Sequence, residues 1–115
     1  MATTATGGAF VDAVLAAVRA IPRGEVRSYA HIARLAGRPR GARQVARILA
    51  AAADPALPWH RVVRADGRIG FAPGSAGHRE QARRLRAEGV VVRAGRVAPP
   101  AAEAPALDAL LWAPR

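Results

Sequence analysis

Apolar side chains recur at helical spacing near the start of the chain, and a second helical pattern lies near residue 80. Residues 8–20 predict a helix, and Pro22 ends it because a proline lacks the backbone N–H that would continue the hydrogen bonding. A further helix is predicted over about 76–88, where Gly89 stops it. The apolar face of the first helix carries Phe10, Val11, Val14, Leu15 and Val18.

Two shorter helical patterns follow one another across a Gly/Pro turn in the middle of the chain. Ser28 is a favourable N-cap for the first, Ile32 and Leu35 are predicted to face inward, and Gly37 is a stop signal. The second pattern covers residues 42–53, and its apolar stripe consists of Val45, Ile48, Leu49 and Ala52. Two short helices joined in this way predict a helix-turn-helix.

Short runs of valine and isoleucine replace the helical spacing after the helix pair. Residues 60–71 predict two short strands joined at the Asp66-Gly67 turn, since this dipeptide adopts the positive φ angles of a hairpin. Residues 90–98 predict a final short strand.

These elements together predict one small α/β domain that is mainly helical. We expect a winged-helix-like helix-turn-helix with a short β-hairpin over residues 1–98. Residues 99–115 are expected to form a Pro/Ala linker and a tail that docks on the same domain through Leu107, Leu110, Leu111 and Trp112.

The charge of the chain narrows the class of partner. All 18 basic residues are arginines and only 8 residues are acidic, which gives a net charge of +10 over 115 residues. This excess favours a polyanionic partner, and nucleic acid above all. The absence of cysteine excludes disulfides, cysteine-ligated zinc and thiol chemistry, and we expect neither a metal nor a cofactor.

The sequence predicts neither a membrane span nor a secretory leader. No run approaches the roughly 20 apolar residues that cross a bilayer, and the N-terminal stretch lacks a basic segment followed by an apolar one. We expect a soluble, cytoplasmic monomer that associates with the nucleoid.

The second helix of the pair combines small residues with projecting arginines. Alanines leave little bulk on its surface, and Arg43 and Arg47 stand out from them. A slim helix with one projecting arginine suits the narrow minor groove, whereas close helix packing and a solvated arginine are the structural alternatives.

Three blocks carry a family resemblance over roughly residues 8–92: IPRGEVRSYAHIARLAGRPRGARQVARIL, PWHRVVRADGRIG and RRLRAEGV. In this order they resemble the C-terminal DNA-binding domain of the O6-alkylguanine-DNA alkyltransferases, and most of all their non-enzymatic relatives, the alkyltransferase-like proteins. The enzymes have Pro-Cys-His-Arg in the second block, and their cysteine accepts the alkyl group. Trp59 stands at that position in this chain.

The resemblance implies that a damaged nucleotide is flipped out of the duplex into a lesion pocket formed by Tyr29, Trp59, Val62 and Ser75. It assigns Tyr29 to rotating the nucleotide outward and Arg43 to filling the vacated stack, with Arg47 as a further DNA contact. A half-buried aromatic residue at a helix start is the structural alternative for Tyr29, and a core aromatic is the alternative for Trp59. The chain departs from some relatives at Ala72, where they carry a basic residue that stacks on the flipped base.

The resemblance also identifies His60 and Glu88 with the pair that activates the cysteine in the enzymes. Because the thiol is missing, we expect this pair to keep only a structural hydrogen-bonding role. The predicted function is non-enzymatic recognition of O6-alkylguanine in double-stranded DNA, which flags the lesion for the damage-recognition proteins of nucleotide excision repair. The alternatives are a helix-turn-helix transcriptional regulator and a dealkylating or hydrolytic enzyme that uses His60 as a base.

Overall fold

The structure, a computed structural model, describes the backbone of residues 2–99 and the side chains of residues 8–99. Within this part of the chain the mainly helical domain with short strands is confirmed. Its helices are α1 (Ala2–Arg19), α2 (Tyr29–Leu35), α3 (Ala42–Ala51) and α4 (Ala76–Ala87). Its two strands are β1 (Arg27–Ser28) and β2 (Val62–Val63), and one turn of 3-10 helix, Trp59–Arg61, precedes β2.

The helices begin and end for local reasons that the sequence contains. The Ser28 hydroxyl accepts a hydrogen bond from the His31 backbone N–H at 3.0 Å and caps α2. Gly37 follows α2 with a φ of +94°, which an L side chain rarely adopts. Leu35, which was predicted to face inward, is 61% exposed, because the buried side of this short helix is already filled by Ile32 and Ala33.

The strand pairing differs from the predicted hairpin. The Asp66-Gly67 turn forms, with Gly67 at a φ of +89° and its N–H bonded to the Arg64 carbonyl at 2.8 Å. However, β2 pairs in parallel with β1, in the register Arg27 with Val62 and Ser28 with Val63. The predicted arms meet next to the turn, where the Arg64 N–H donates to the Arg68 carbonyl at 2.8 Å, but the two residues of β2 itself pair with β1.

The predicted final strand over residues 90–98 is instead a tight two-residue turn. Arg93 and Arg96 exchange two backbone hydrogen bonds of 2.9 and 3.0 Å across Ala94 and Gly95. The turn packs against the segment after Gly67, because Arg68 and Arg96 form an antiparallel bridge.

Two hydrophobic cores lie on either side of the β1–β2 pair. Adjacent residues of β2 separate them, since Val62 belongs to the first core and Val63 to the second. The first core is formed by α1, α2, α3 and Leu57, and it contains Phe10, Val14, Val18, Ile21, Ile32, Ala33 and Val45. The second core packs α4 against the segment before β1 and the segments on either side of the 66–67 and 93–96 turns. It contains Val26, Ile69, Ala82, Leu85, Val92 and Val97.

The first helix starts earlier than the sequence predicts, whereas the last one matches its prediction. The first helix begins at Ala2, well before the predicted residue 8, and α4 closely follows its predicted range. The linker and docking tail expected over 99–115 lie outside the described residues from residue 100 onward. Within the described range, no helix is long and apolar enough to cross a membrane.

Candidate functional site

A cavity of about 480 Å³ opens between α3, the segment before Trp59 and the loop at Gly70. This volume lies in the range of pockets that hold small ligands. Small apolar groups from α3 and the following turn form one wall, and aromatic rings form the other. The lining consists of Tyr29, Ala46, Leu49, Ala50, Ala52, Ala53, Asp54, Pro55, Trp59, Gly70, Phe71 and Arg84.

Trp59 enters this cavity from a backbone turn that is fixed on both sides. The Arg61 N–H donates to the Pro58 carbonyl at 3.1 Å and closes the turn. From α4, the fully buried Gln81 amide donates to the carbonyls of His60 at 3.0 Å and Val62 at 2.8 Å. These buried hydrogen bonds hold the backbone, so the indole keeps a defined position in the cavity.

An aromatic ring and a cation accompany the Trp59 indole. Phe71 meets it edge to face, with ring centroids 5.9 Å apart and an interplanar angle of 76°. The Arg84 guanidinium lies 5.2 Å from the indole centroid, within the range of a cation–π contact, and its Nε donates to Glu80 at 2.7 Å. Gly77 leaves space for Phe71, because a Cβ there would lie 2.5 Å from the phenyl ring.

Tyr29 forms another wall of the cavity and begins α2. Its phenol is partly buried, and burial raises its pKa above the usual value, whereas the charge of Arg64 acts in the opposite direction. The ring passes close to Gly70, where a Cβ would lie 2.9 Å from the Tyr29 hydroxyl oxygen. Tyr29 therefore keeps its proton and can donate a hydrogen bond at neutral pH.

The predicted DNA-binding arginines are exposed on α3. Arg43 lines a second, shallower cavity of about 410 Å³ together with Tyr29, Ala46 and Arg64. Because Tyr29 and Ala46 also line the Trp59 cavity, Arg43 stands next to its opening. Arg47 is exposed one turn further along α3 and lines neither cavity among the described residues.

His60 and Glu88 lie together in a buried ionic cluster. The Glu88 carboxylate, 7% exposed, accepts from His60 Nε2 at 2.9 Å and from Arg61 Nε at 3.0 Å and Nη2 at 2.7 Å. The Gly24 N–H adds a longer contact of 3.4 Å. The Arg61 hydrogen bonds lower the pKa of Glu88 to about 2, with a smaller contribution from His60, while burial opposes the shift.

Two predicted pocket residues lie elsewhere. Val62 is fully buried in the first core and does not line the Trp59 cavity. The Ser75 hydroxyl caps α4 by accepting from the His78 N–H at 3.2 Å, and Ser75 is likewise absent from the lining. Neither side chain is therefore placed in this structure to contact a group held in the cavity.

Other residues of the site were missed. Arg84, Phe71 and Gln81 reach the Trp59 turn through tertiary packing, and no local pattern marks them. Asp54 lines the rim of the cavity, where its carboxylate contacts Arg19 at 3.4 Å and accepts from the Ala56 N–H at 2.9 Å. Ala72 offers no cation, so the guanidinium beside the indole comes from α4 instead.

The arrangement suits holding a flat apolar group. The indole, the phenyl ring and the alanine wall provide surfaces for stacking, and the Tyr29 hydroxyl and Arg84 provide hydrogen-bond donors. No group of three or more His, Asp or Glu side chains within the described range is placed to hold a metal ion.

Comparisons with known proteins find relatives over most of the described residues. A family model of the 6-O-methylguanine DNA methyltransferase DNA-binding domain matches residues 9–90. The DNA base-flipping protein of Escherichia coli (strain K12) is 44% identical over 84 residues, which are 72% of this chain and 64% of that protein. This chain therefore spans slightly less than two thirds of that relative.

Two further matches come from Schizosaccharomyces pombe. Its alkyltransferase-like protein 1 is 40% identical over 84 residues, which are 72% of this chain and 78% of that protein. The crystal structure of S. pombe Atl1 in complex with damaged DNA containing O6-carboxymethylguanine has a TM-score of 0.67 at 40% identity. It covers 73% of this chain and 79% of the Atl1 chain.

Proposed function

The chain belongs to the family of the 6-O-methylguanine DNA methyltransferase DNA-binding domain, and from this membership we propose that it recognises O6-alkylguanine in double-stranded DNA. In this proposal the helix pair α2–α3 binds the duplex from the minor groove, and the damaged nucleotide rotates into the Trp59 cavity. The observation that carries it is the partly exposed indole of Trp59 in an apolar cavity next to Tyr29 and Arg43.

The positions of Tyr29 and Arg43 support nucleotide flipping. Arg43 is exposed beside the cavity opening, where its planar guanidinium can replace the extruded base in the stack. Tyr29 begins α2 and forms part of the cavity wall, so in this proposal its side chain faces both the DNA backbone and the extruded base. Arg47 extends the positive charge of α3 along the DNA.

Recognition without catalysis is part of the same proposal. Trp59 offers a flat surface but no nucleophile, so it contacts an alkyl group without breaking the carbon–oxygen bond. His60 points its Nε2 at Glu88, is 7% exposed and does not line the cavity. This placement argues against a hydrolytic role for His60 and favours the structural role of the His60–Glu88 pair.

The biological consequence that we propose is flagging of the lesion. A protein that binds the adduct and does not repair it marks the site for other proteins, and the family resemblance points to the damage-recognition proteins of nucleotide excision repair. We place this activity in the cytoplasm, on nucleoid DNA. Co-purification of a repair protein with the DNA-bound chain, and its loss without the adduct, tests this step.

The central experiment is a binding titration with two identical duplexes, one with guanine and one with O6-methylguanine at the same position. We expect tighter binding to the methylated duplex, and no change in the mass of protein or DNA after incubation. Trp59→Ala should lose the preference, whereas Val91→Ala, a matched loss of an exposed apolar side chain outside the cavity, should keep it.

Three results would contradict the proposal. Equal affinities would exclude lesion recognition. Preference for one undamaged sequence would favour a helix-turn-helix transcriptional regulator, the rival function that the α2–α3 pair supports. An alkyl mass gained by the protein or lost from the DNA would show an enzyme.

A further inference from the structure

A cavity lined by arginines lies beside the Trp59 cavity. It has a volume of about 840 Å³, and Arg64, Arg68, Arg96 and His78 contribute its polar side chains. No carboxylate lines it in the part of the chain that the structure describes. It shares the Gly70–Phe71 segment with the Trp59 cavity, so the two openings are neighbours on one surface.

The backbone places like charges opposite one another at this cavity. Arg96 forms antiparallel bridges with both Arg68 and Arg93. Like charges at directly opposed positions destabilise a β pair, so the arrangement is unfavourable in the free protein. We call Arg64, Arg68, Arg93 and Arg96 the arginine surface.

Strain accompanies this repulsion. The turn between Arg93 and Arg96 places Ala94 at a φ of +51° and Gly95 at +71°, and Ala94 is the only residue other than glycine with a positive φ among the described residues. The packing also restricts the turn, because a Cβ at Gly95 would lie 2.6 Å from His78 Nε2. Backbone strain of this kind persists where the surrounding structure holds it, and it is concentrated at binding sites.

Within the described range, one ion pair joins the arginine surface to a carboxylate. Asp66 contacts Arg68 Nε at 3.4 Å, whereas Arg64, Arg93 and Arg96 make no ion pair within the described range. The Arg68 backbone N–H is the largest cause of the lowered pKa of Asp66, and the charges of Arg68, Arg96 and Arg64 lower it further. Glu25 lines another cavity together with Arg93 and Arg96, but its carboxylate contacts Arg27 at 3.0 Å, so the arginine surface keeps an excess of positive charge.

We propose that the arginine surface is a second DNA contact, which binds backbone phosphates of the duplex whose damaged nucleotide occupies the Trp59 cavity. Arg64 connects it to the helix pair, because Arg64 lines this cavity and also the cavity that holds Tyr29 and Arg43. The positive surface therefore runs from α3 past the opening of the Trp59 cavity to the Arg93–Arg96 turn. This inference rests on the proposed function for the position of the duplex.

The test is the salt dependence of binding to undamaged and O6-methylguanine duplexes. The double variant Arg68→Gln/Arg96→Gln removes two charges and keeps long polar side chains. Each lost phosphate contact lowers the log–log salt slope by about 0.9, so we expect a decrease of about 1.8. Between about 50 and about 200 mM salt, the parent should lose about 12-fold more affinity than the variant.

Two control variants make the result specific. Arg79→Gln/Arg83→Gln removes the same charge from the exposed face of α4 and should keep the parent slope. Arg68→Lys/Arg96→Lys keeps the charge and should also keep the slope. If the double glutamine variant does not fold, the single variants Arg68→Gln and Arg96→Gln should each lower the slope by about 0.9.

The outcomes separate this inference from the proposed function. An unchanged slope in Arg68→Gln/Arg96→Gln, or an equal decrease in the α4 control, would overturn the second contact, even where the parent still prefers methylated DNA. Loss of that preference in the parent would instead overturn the proposed function. We expect Arg68→Gln/Arg96→Gln to keep the parent's ratio of affinities for the two duplexes and to bind both duplexes more weakly than the parent at low salt.

Discussion

Replacing Glu88 by glutamine removes the charge at the centre of the buried ionic cluster while keeping the shape of the side chain. The parent carboxylate accepts two hydrogen bonds from Arg61 and one from His60, and it is 7% exposed. An amide accepts fewer hydrogen bonds and leaves the Arg61 guanidinium without its anion. Removing one partner of a buried ion pair is costly, because the other charge stays desolvated.

The magnitude follows from the pKa of Glu88. The cluster lowers that pKa from 4.5 to about 2, and a shift of this size corresponds to about 3 kcal/mol of stability. Because the folded-state pKa is depressed, this stabilisation is fully present above the unfolded-state value and is lost as the pH falls toward 2. Near pH 3 about half of it should remain.

The assay is urea unfolding, followed by tryptophan fluorescence, at about pH 7 and about pH 3. We expect Glu88→Gln to lower the free energy of unfolding by about 3 kcal/mol at neutral pH, and the gap to the parent to shrink by about half in acid. Glu80→Gln is the matched control: its carboxylate also has a pKa of about 2, but it faces solvent beside Arg83 and Arg84. The control should change stability far less. A gap in Glu88→Gln that stays constant with pH would refute the assignment of the stabilisation to this charge.

The remaining predictions concern DNA binding. Tyr29→Ala and Arg43→Ala should each weaken binding to O6-methylguanine duplex by about 1 to 3 kcal/mol, and unchanged titrations would refute the flipping assignment. Arg43→Ala should leave folding unaffected because its side chain is exposed, whereas Tyr29→Ala also removes packing on the first core. Arg84→Gln should weaken lesion binding by about 1 kcal/mol through loss of the cation–π contact, and equal weakening for undamaged DNA would show a phosphate contact instead. Trp59→Cys should fold, bind the lesion more weakly and accept alkyl groups slowly or not at all. Removal of the indole widens the cavity, so the alkyl carbon is no longer held at reacting distance from the new thiol. Rapid stoichiometric alkylation, seen by mass spectrometry, would contradict this expectation.

Local signals explain which parts of the fold were predictable from the sequence. The Ser28 cap and the Gly37 stop depend on neighbouring residues alone, and both act as expected. The partner of β2 depends on contact with a segment 35 residues earlier, Arg27 with Val62, which no local pattern encodes. A turn signal at Asp66-Gly67 specifies the turn and leaves the strand partners open.

The site divides in the same way. Trp59 and Tyr29 were predicted from their sequence blocks, and the structure brings them to one cavity. Arg84 and Gln81 were missed because helical spacing on α4 does not tell which distant backbone or ring its inner face meets. Val62 is enclosed in the first core, on which Tyr29 and Trp59 pack, so those two side chains line the cavity and Val62 does not.

The separation of the two cores divides the protein into parts that can be altered independently. The helix α3, which carries Arg43, packs on one core together with α1 and α2, whereas α4, which carries Arg84, packs on the other. Randomising Phe71 and Arg84 therefore changes the chemistry of the cavity wall and leaves the packing of α1, α2 and α3 intact. Selection from such a library on duplexes with other modified bases should yield variants that recognise those bases and still contact the double helix as the parent does.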